Sequence, residues 1–176
     1  SADSTETVTV KARYPEMAWR YDIEGSDNCK KIRELAYRQI ALQNRCIEID
    51  RDPTLSVTAA ADSIDNVIAR YKEEIKADYI IREPMKAYAY FALFQAVGSR
   101  LIFNPRANRE DIKMFAAVAT SWDTFYPNAE RGQNLHNIAL EGMRTQRIVD
   151  NNNRGLTVEA DKIHATDIVE ITLTDN

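Results

Sequence analysis

The stretch VTAAADSIDNVIARYKEEIKADYII, residues 57 to 81, decides how the chain is read. Its apolar positions Ala60, Ala61, Ile64, Val67, Ile68, Tyr71, Ile75 and Tyr79 recur about every 3.6 residues, which predicts one amphipathic helix running to Ile81. Such a helix buries one stripe only against a neighbour, so more elements must pack around it.

Toward the C-terminus, Arg82-Glu83-Pro84 reads as a break, with Pro84 in the first turn of a helix over 84–103. That helix is apolar nearly all round, from Met85 through Tyr88, Phe91 and Phe94 to Leu101, Ile102 and Phe103. A helix without a polar face belongs in the centre of a bundle or in an oligomer interface. Asn104-Pro105 ends it, and Asn108 with Asp111 forms a capping-box variant that starts a fourth helix over 109–126. Ile112, Phe115, Ala116, Ala119, Trp122 and Tyr126 give that helix one apolar face, and Pro127 closes it. A fifth helix is expected over 129–149, weakened by about 1 kcal/mol at each of Gly132 and Gly142.

Toward the N-terminus, Asp52-Pro53 makes a turn after a brief alternation, Ile47 and Ile49 against Glu48 and Asp50, that suggests a short strand. A first helix is predicted over 28–46, preceded by a turn at Gly25-Ser26-Asp27. The two ends differ in character. Val8, Val10 and Ala12 alternate with Thr7, Thr9 and Lys11, and Val169, Ile171 and Leu173 alternate with Glu170, Thr172 and Thr174, both with the period of a half-buried strand. Between the fifth helix and the last strand, Asp150 to Gly155 holds three successive asparagines and reads as a hinge. The fold expected is mainly α: a bundle of about five helices over 27–150, an extended arm over 1–26, and a hinge with an acidic strand or tail over 151–176.

Composition fits one domain. With 176 residues, the chain is long enough to bury about 70% of its unfolded surface. A net charge of -4 lacks the general basic footprint of a nucleic-acid binder, and residues 156–176 carry five acidic side chains against Lys162. Gln95, Ser99 and Arg100 interrupt the longest apolar run, so no bilayer span is expected. The polar, acidic start does not read as a signal peptide, and a small residue at position 1 fits removal of an initiator Met. Cys29 and Cys46 fall on one predicted helix, about 25 Å apart along its axis. They are therefore expected to be reduced thiols, and the protein cytoplasmic.

A search for chemistry assigns no catalytic, metal or cofactor residue. His136 and His164 lie far apart with no Cys or second His at zinc spacing, and His136 alone on a helix is read as an ordinary surface or core residue. No phosphate-cradling glycine motif is present. Glu48, Asp50 and Asp52 lack the glycine and closing glutamate of a calcium loop and read as a solvated edge. Two basic clusters remain. Arg100, Arg106, Arg109 and Lys113 surround the turn at 104–108, while Arg144, Arg147 and Arg154 end the fifth helix; both are candidates for phosphate or acidic-partner contacts.

Strand-like ends on a helical body need hydrogen-bond partners, from each other or from a neighbouring subunit. Val8, Val10, Val169, Ile171 and Leu173 are accordingly the candidate arm contacts. The helical succession from Val57 to Val149, the apolar helix Met85 to Phe103 followed by Asn104-Pro105, and the hinge and strand from Asp150 to Thr174 resemble the head-to-tail adaptor (head-completion or connector) proteins of tailed bacteriophages. The resemblance covers most of the chain and rests on the order of elements. It implies a homo-oligomeric ring between portal and tail proteins, a C-terminal segment docked on the portal, proximity to DNA in the channel, a place in the virion, and no catalytic residues. Two other readings are a helical regulatory module with Tyr88, Phe91, Phe94 and Trp122 lining a ligand pocket, and an enzyme using His136 with carboxylates such as Glu141.

Overall fold

The computed structural model describes residues 15–165, and the side chains of 25–155. It is mainly helical, with five helices: α1 (Pro15–Asp50), α2 (Val57–Ile75), α3 (Ala87–Leu93), α4 (Arg109–Phe125) and α5 (Glu130–Ala165). A π-helical turn, Lys76–Ile81, continues α2, and a two-stranded antiparallel ribbon, β1 (Ala96–Val97) and β2 (Arg100–Leu101), follows α3. The strand patterns at 5–12 and 168–174 lie outside the described residues.

The helix predicted over 57–81 forms as expected in its α-helical part. Ser56 caps it through a hydroxyl that accepts from the Ala59 amide at 3.1 Å. Ala60, Ile68, Tyr71 and Ile75 are buried along one stripe. At Lys76 the winding widens, and the i→i+5 bonding lets Tyr79 and Ile80 both turn inward beside Ile75.

The first helix is far longer than the predicted 28–46. The expected turn at Gly25-Ser26-Asp27 and residues 47–50 of the expected strand are helical, with the turn at Asp52-Pro53 following, so the extended N-terminal arm does not reach as far as 26. A glycine costs a helix only about 1 kcal/mol, and Gly25 is buried, where lacking a side chain suits close packing. Ile49 joins Leu35, Leu42 and Cys46 on a single buried stripe, a spacing that outweighs the local alternation. Burial pushes the Cys46 thiol above its ordinary pKa, as expected for an inert core residue.

The helix expected over 84–103 is the largest departure. Pro84 sits in a turn in which the Lys86 amide donates to the Glu83 carbonyl, and α3 spans only Ala87–Leu93. Gln95 ends it. Its side chain is buried, accepting from the Tyr71 hydroxyl at 2.7 Å and donating to the Leu35 carbonyl at 3.0 Å. The chain then reverses at Gly98-Ser99, where Gly98 has φ of 58°, in the first central position that a type II′ hairpin turn reserves for glycine.

The α4–α5 pair is an antiparallel hairpin joined at 126–129, with Asn128 in the left-handed region its residue type tolerates. Asn108 caps α4, its side-chain oxygen accepting from the Glu110 and Asp111 amides. Asp111 does not complete a capping box. Its carboxylate reaches back to the Asn104 amide (2.8 Å) and across to the Lys72 ammonium (2.7 Å), tying α4 to α2 and the preceding loop. Gly132 and Gly142 turn out to be packing positions rather than weak points. A Cβ on Gly142 would meet the Pro105 carbonyl at 2.3 Å, and one on Gly132 would meet Trp122 at 3.3 Å.

The hinge expected at 150–155 is also helical, and α5 continues to Ala165. Asparagines cost a helix only a few tenths of a kcal/mol each, no proline intervenes, and Arg154 donates to the Asn151 side chain one turn away. Residues 151–155 are all exposed. The core is continuous across both halves, with Ile75, Ile80, Ala89, Ala92, Val118, Ala119 and Leu135 all fully buried.

Candidate interaction surface

Seven residues are too few for α3 to bury every apolar side chain. Ala89, Ala92 and Leu93 face the core, which leaves Phe91 41% and Phe94 40% exposed. These rings belong to one surface. Tyr90 lies 5.8 Å from Phe91, 4.9 Å from Phe94 and 6.0 Å from Trp122, and Trp122 lies 5.1 Å from Tyr126. Tyr126 and its neighbour Phe125 are about half exposed. Arg131, at the start of α5, holds its guanidinium 5.3 to 5.8 Å from the Phe91, Tyr90 and Trp122 rings and forms no ion pair among the described residues. It acts as a cationic lid on the cluster, an arrangement that the charge-free reading of α3 missed.

Phe94 also packs edge-on against Phe115, at 5.7 Å, and opens onto a groove of about 620 Å³. The groove floor is Leu93, Phe103 and Phe115, each only 1% exposed; Phe94, Leu101 and Ile138 form its walls, with Arg100 and Arg106 at the rim. Past Arg106 and Ile138 it continues into a depression of about 300 Å³ beside Asn137, Glu141 and Gly142. Along one side runs the β ribbon. The outer side of β1 is occupied, because Gln39 donates to the Ala96 carbonyl at 2.9 Å; β2 is exposed, and no strand lies on its outer side among the described residues. An apolar groove beside an open strand edge suits an extended segment.

The predicted basic residues are dispersed. Arg100 pairs with Asp65 at 2.6 Å, Arg109 with Asp150, Lys113 with Glu110 at 3.2 Å, and Arg144 with Glu141 at 3.5 Å. Arg106 and Arg147 form no ion pair among the described residues, and Arg106 alone of these two lines the groove. Arg144, Arg147 and Arg154 sit in mid-helix rather than at a C-terminus, so the helix dipole does not account for them. The candidate arm contacts Val8, Val10, Val169, Ile171 and Leu173 lie outside the described residues.

Nor do the residues of the other two readings converge. His136 pairs with Asp123 across α4 and α5, both well exposed, while Glu141 lines the depression with Asn137 and Ile138. Tyr88 is buried against Glu83 and Tyr79, away from the surface shared by Phe91, Phe94 and Trp122. Burial and the Glu83 carboxylate both raise the Tyr88 pKa. Among the described residues no group of His, Cys, Asp and Glu is placed to hold a metal ion, and no helix is long and apolar enough to cross a membrane. No family model, curated protein or solved structure matches the chain.

Proposed function

We propose that this chain is a non-enzymatic assembly protein, a homo-oligomer subunit that docks through the aromatic surface and groove of α3, the β ribbon and α4. The observation that carries the proposal is the continuity of that surface. Isolated exposed hydrophobic residues are ordinary, but Phe91, Phe94, Tyr126 and Leu101 belong to one connected region with an open strand edge beside it. In its particular form the proposal is a virion head-to-tail adaptor, a ring beneath a portal that contacts portal and tail proteins. That form rests on the order of elements read from the sequence between Val57 and Thr174, of which the long helix over 84–103 and the hinge at 150–155 are replaced by a short helix with a ribbon and by continuous helix.

The test is the mass of the purified full chain by light scattering, together with its appearance by negative-stain microscopy. A mass that is a multiple of 20.1 kDa, and closed rings, are expected. A monomer at all concentrations up to about 100 µM, where interfaces of micromolar affinity would be occupied, would overturn the proposal.

A further inference from the structure

We infer that the groove formed by Leu93, Phe94, Leu101, Phe103, Phe115 and Ile138 receives the 166–176 segment of a second copy of this chain, so that subunits join head to tail. This deepens the assembly reading and rests on it. Three observations select the occupant.

The first is pattern. In TDIVEITLTDN, residues 166–176, Val169, Ile171 and Leu173 fall on one side of an extended chain, the row that an apolar groove takes. The exposed edge of β2 supplies backbone partners for such a strand. The second is charge. The segment carries Asp167, Glu170 and Asp175 with no basic residue, and the groove rim carries Arg106, whose guanidinium meets no carboxylate among the described residues.

The third is length, and it excludes the chain's own segment. Along α5, Ala165 lies about 40 Å beyond Ile138 and about 28 Å beyond Gln146, whose side chain donates to the Arg106 carbonyl at the near end of the groove. Fully extended chain from Ala165 to Ile171 covers at most about 22 Å. A chain's own Val169 and Ile171 therefore cannot lie in its own groove, whereas those of a neighbour can. A contact between two different surfaces is heterologous, and repeating it closes a ring or propagates a filament.

The experiment uses three full-length proteins: the wild type, a groove variant (Phe94→Asp with Leu101→Glu) and a segment variant (Val169→Asp with Ile171→Asp). Phe94 and Leu101 are 40% and 45% exposed, so the folded subunit is expected to tolerate charge there, with far-UV circular dichroism as the check. By sedimentation velocity the wild type should form multimers and each variant should be monomeric. An equimolar mixture of the two variants should give a dimer and nothing larger, because only one intact groove and one intact segment remain to meet. Multimers that persist in both variants, or a mixture that stays monomeric, would overturn the inference while leaving the assembly reading in place. A monomeric wild type would overturn both. If a variant fails to fold, a peptide of residues 166–176 added to the wild type decides instead. Loss of multimers with this peptide and not with a scrambled one supports the inference, and no loss overturns it.

Discussion

Three glycines on α5 provide a graded test of how closely the α4–α5 hairpin packs. Replacing a helical glycine by alanine ordinarily stabilises by about 0.5 to 1 kcal/mol, because the unfolded chain loses freedom and the helix gains a better former. At Gly155 a Cβ meets nothing within 4 Å, so Gly155→Ala should realise that gain. At Gly132 the new carbon meets the Trp122 Cβ at 3.3 Å, a tight contact that offsets much of the benefit and leaves the change near neutral. At Gly142 it would sit 2.3 Å from the Pro105 carbonyl and 3.0 Å from Ile112. A backbone oxygen cannot rotate out of the way as a side-chain tip can. Overpacking of this kind costs about 1 to 3 kcal/mol or more, so Gly142→Ala should be net destabilising by about 1 to 2 kcal/mol. For a domain of this size that lowers the melting temperature by about 2 to 8 °C, while Gly155→Ala raises it by about 1 to 4 °C. Urea unfolding with a common slope for all three variants would give the ranking directly. If Gly142→Ala were as stable as Gly155→Ala, the close approach of α5 to Pro105 would be wrong, and the groove geometry would fall with it.

Other outcomes follow from buried polar contacts. Asp111 is 1% exposed and bonded to Lys72 and the Asn104 amide, so Lys72→Met should destabilise by about 3 to 5 kcal/mol by stranding a buried carboxylate, and Lys72→Met with Asp111→Leu should recover part of the loss; equal stability of Lys72→Met and wild type in urea would refute this. Tyr71→Phe should cost about 1 to 3 kcal/mol in the same assay, since the Gln95 side-chain oxygen it leaves behind is buried. Burial pushes the Tyr71 pKa up to about 12, so the fold favours its neutral hydroxyl. That contribution is intact below the ordinary value near 10 and is lost as pH rises from 10 through 12. Wild-type urea midpoints should therefore fall between pH 9 and 11.5, and fall less in Tyr71→Phe; a parallel decline in both would assign the loss to other groups.

The elements legible in the sequence were those with both a period and a boundary signal. α2 had its apolar stripe and α4 had Asn108, Glu110 and Asp111 at one end with Pro127 beyond the other, and both form close to where they were expected. The stretch from Met85 to Phe103 had boundary signals, Pro84 at one end and Asn104-Pro105 at the other, but no period. When nearly every residue is apolar, no face stands out, and the turn at Gly98-Ser99 is the one local sign that the chain reverses. α1 and α5 outran their predicted ends because Gly25 and the asparagines at 151–153 were read as breaks, although each costs a helix little and no proline reinforces them. The groove was not readable at all. It joins Leu93, Leu101, Phe115 and Ile138, residues from four separate elements, and depends on Gly142 allowing α5 to approach Pro105.

The wide turn at Lys76–Ile81 has an effect on the angle at which its side chains are held. Accommodating one more residue per turn resets the angular phase at the end of the helix, so its last residues, through Ile81, are presented at an azimuth that an uninterrupted α-helix would miss by about 100°. Deleting the exposed Ala77 would remove the extra residue and let the segment wind evenly with Tyr79 and Ile80 still facing the interior, as i+3 and i+4 from Ile75. The extra residue is thus absorbed within a single turn, and both bulky side chains reach the core from one short segment.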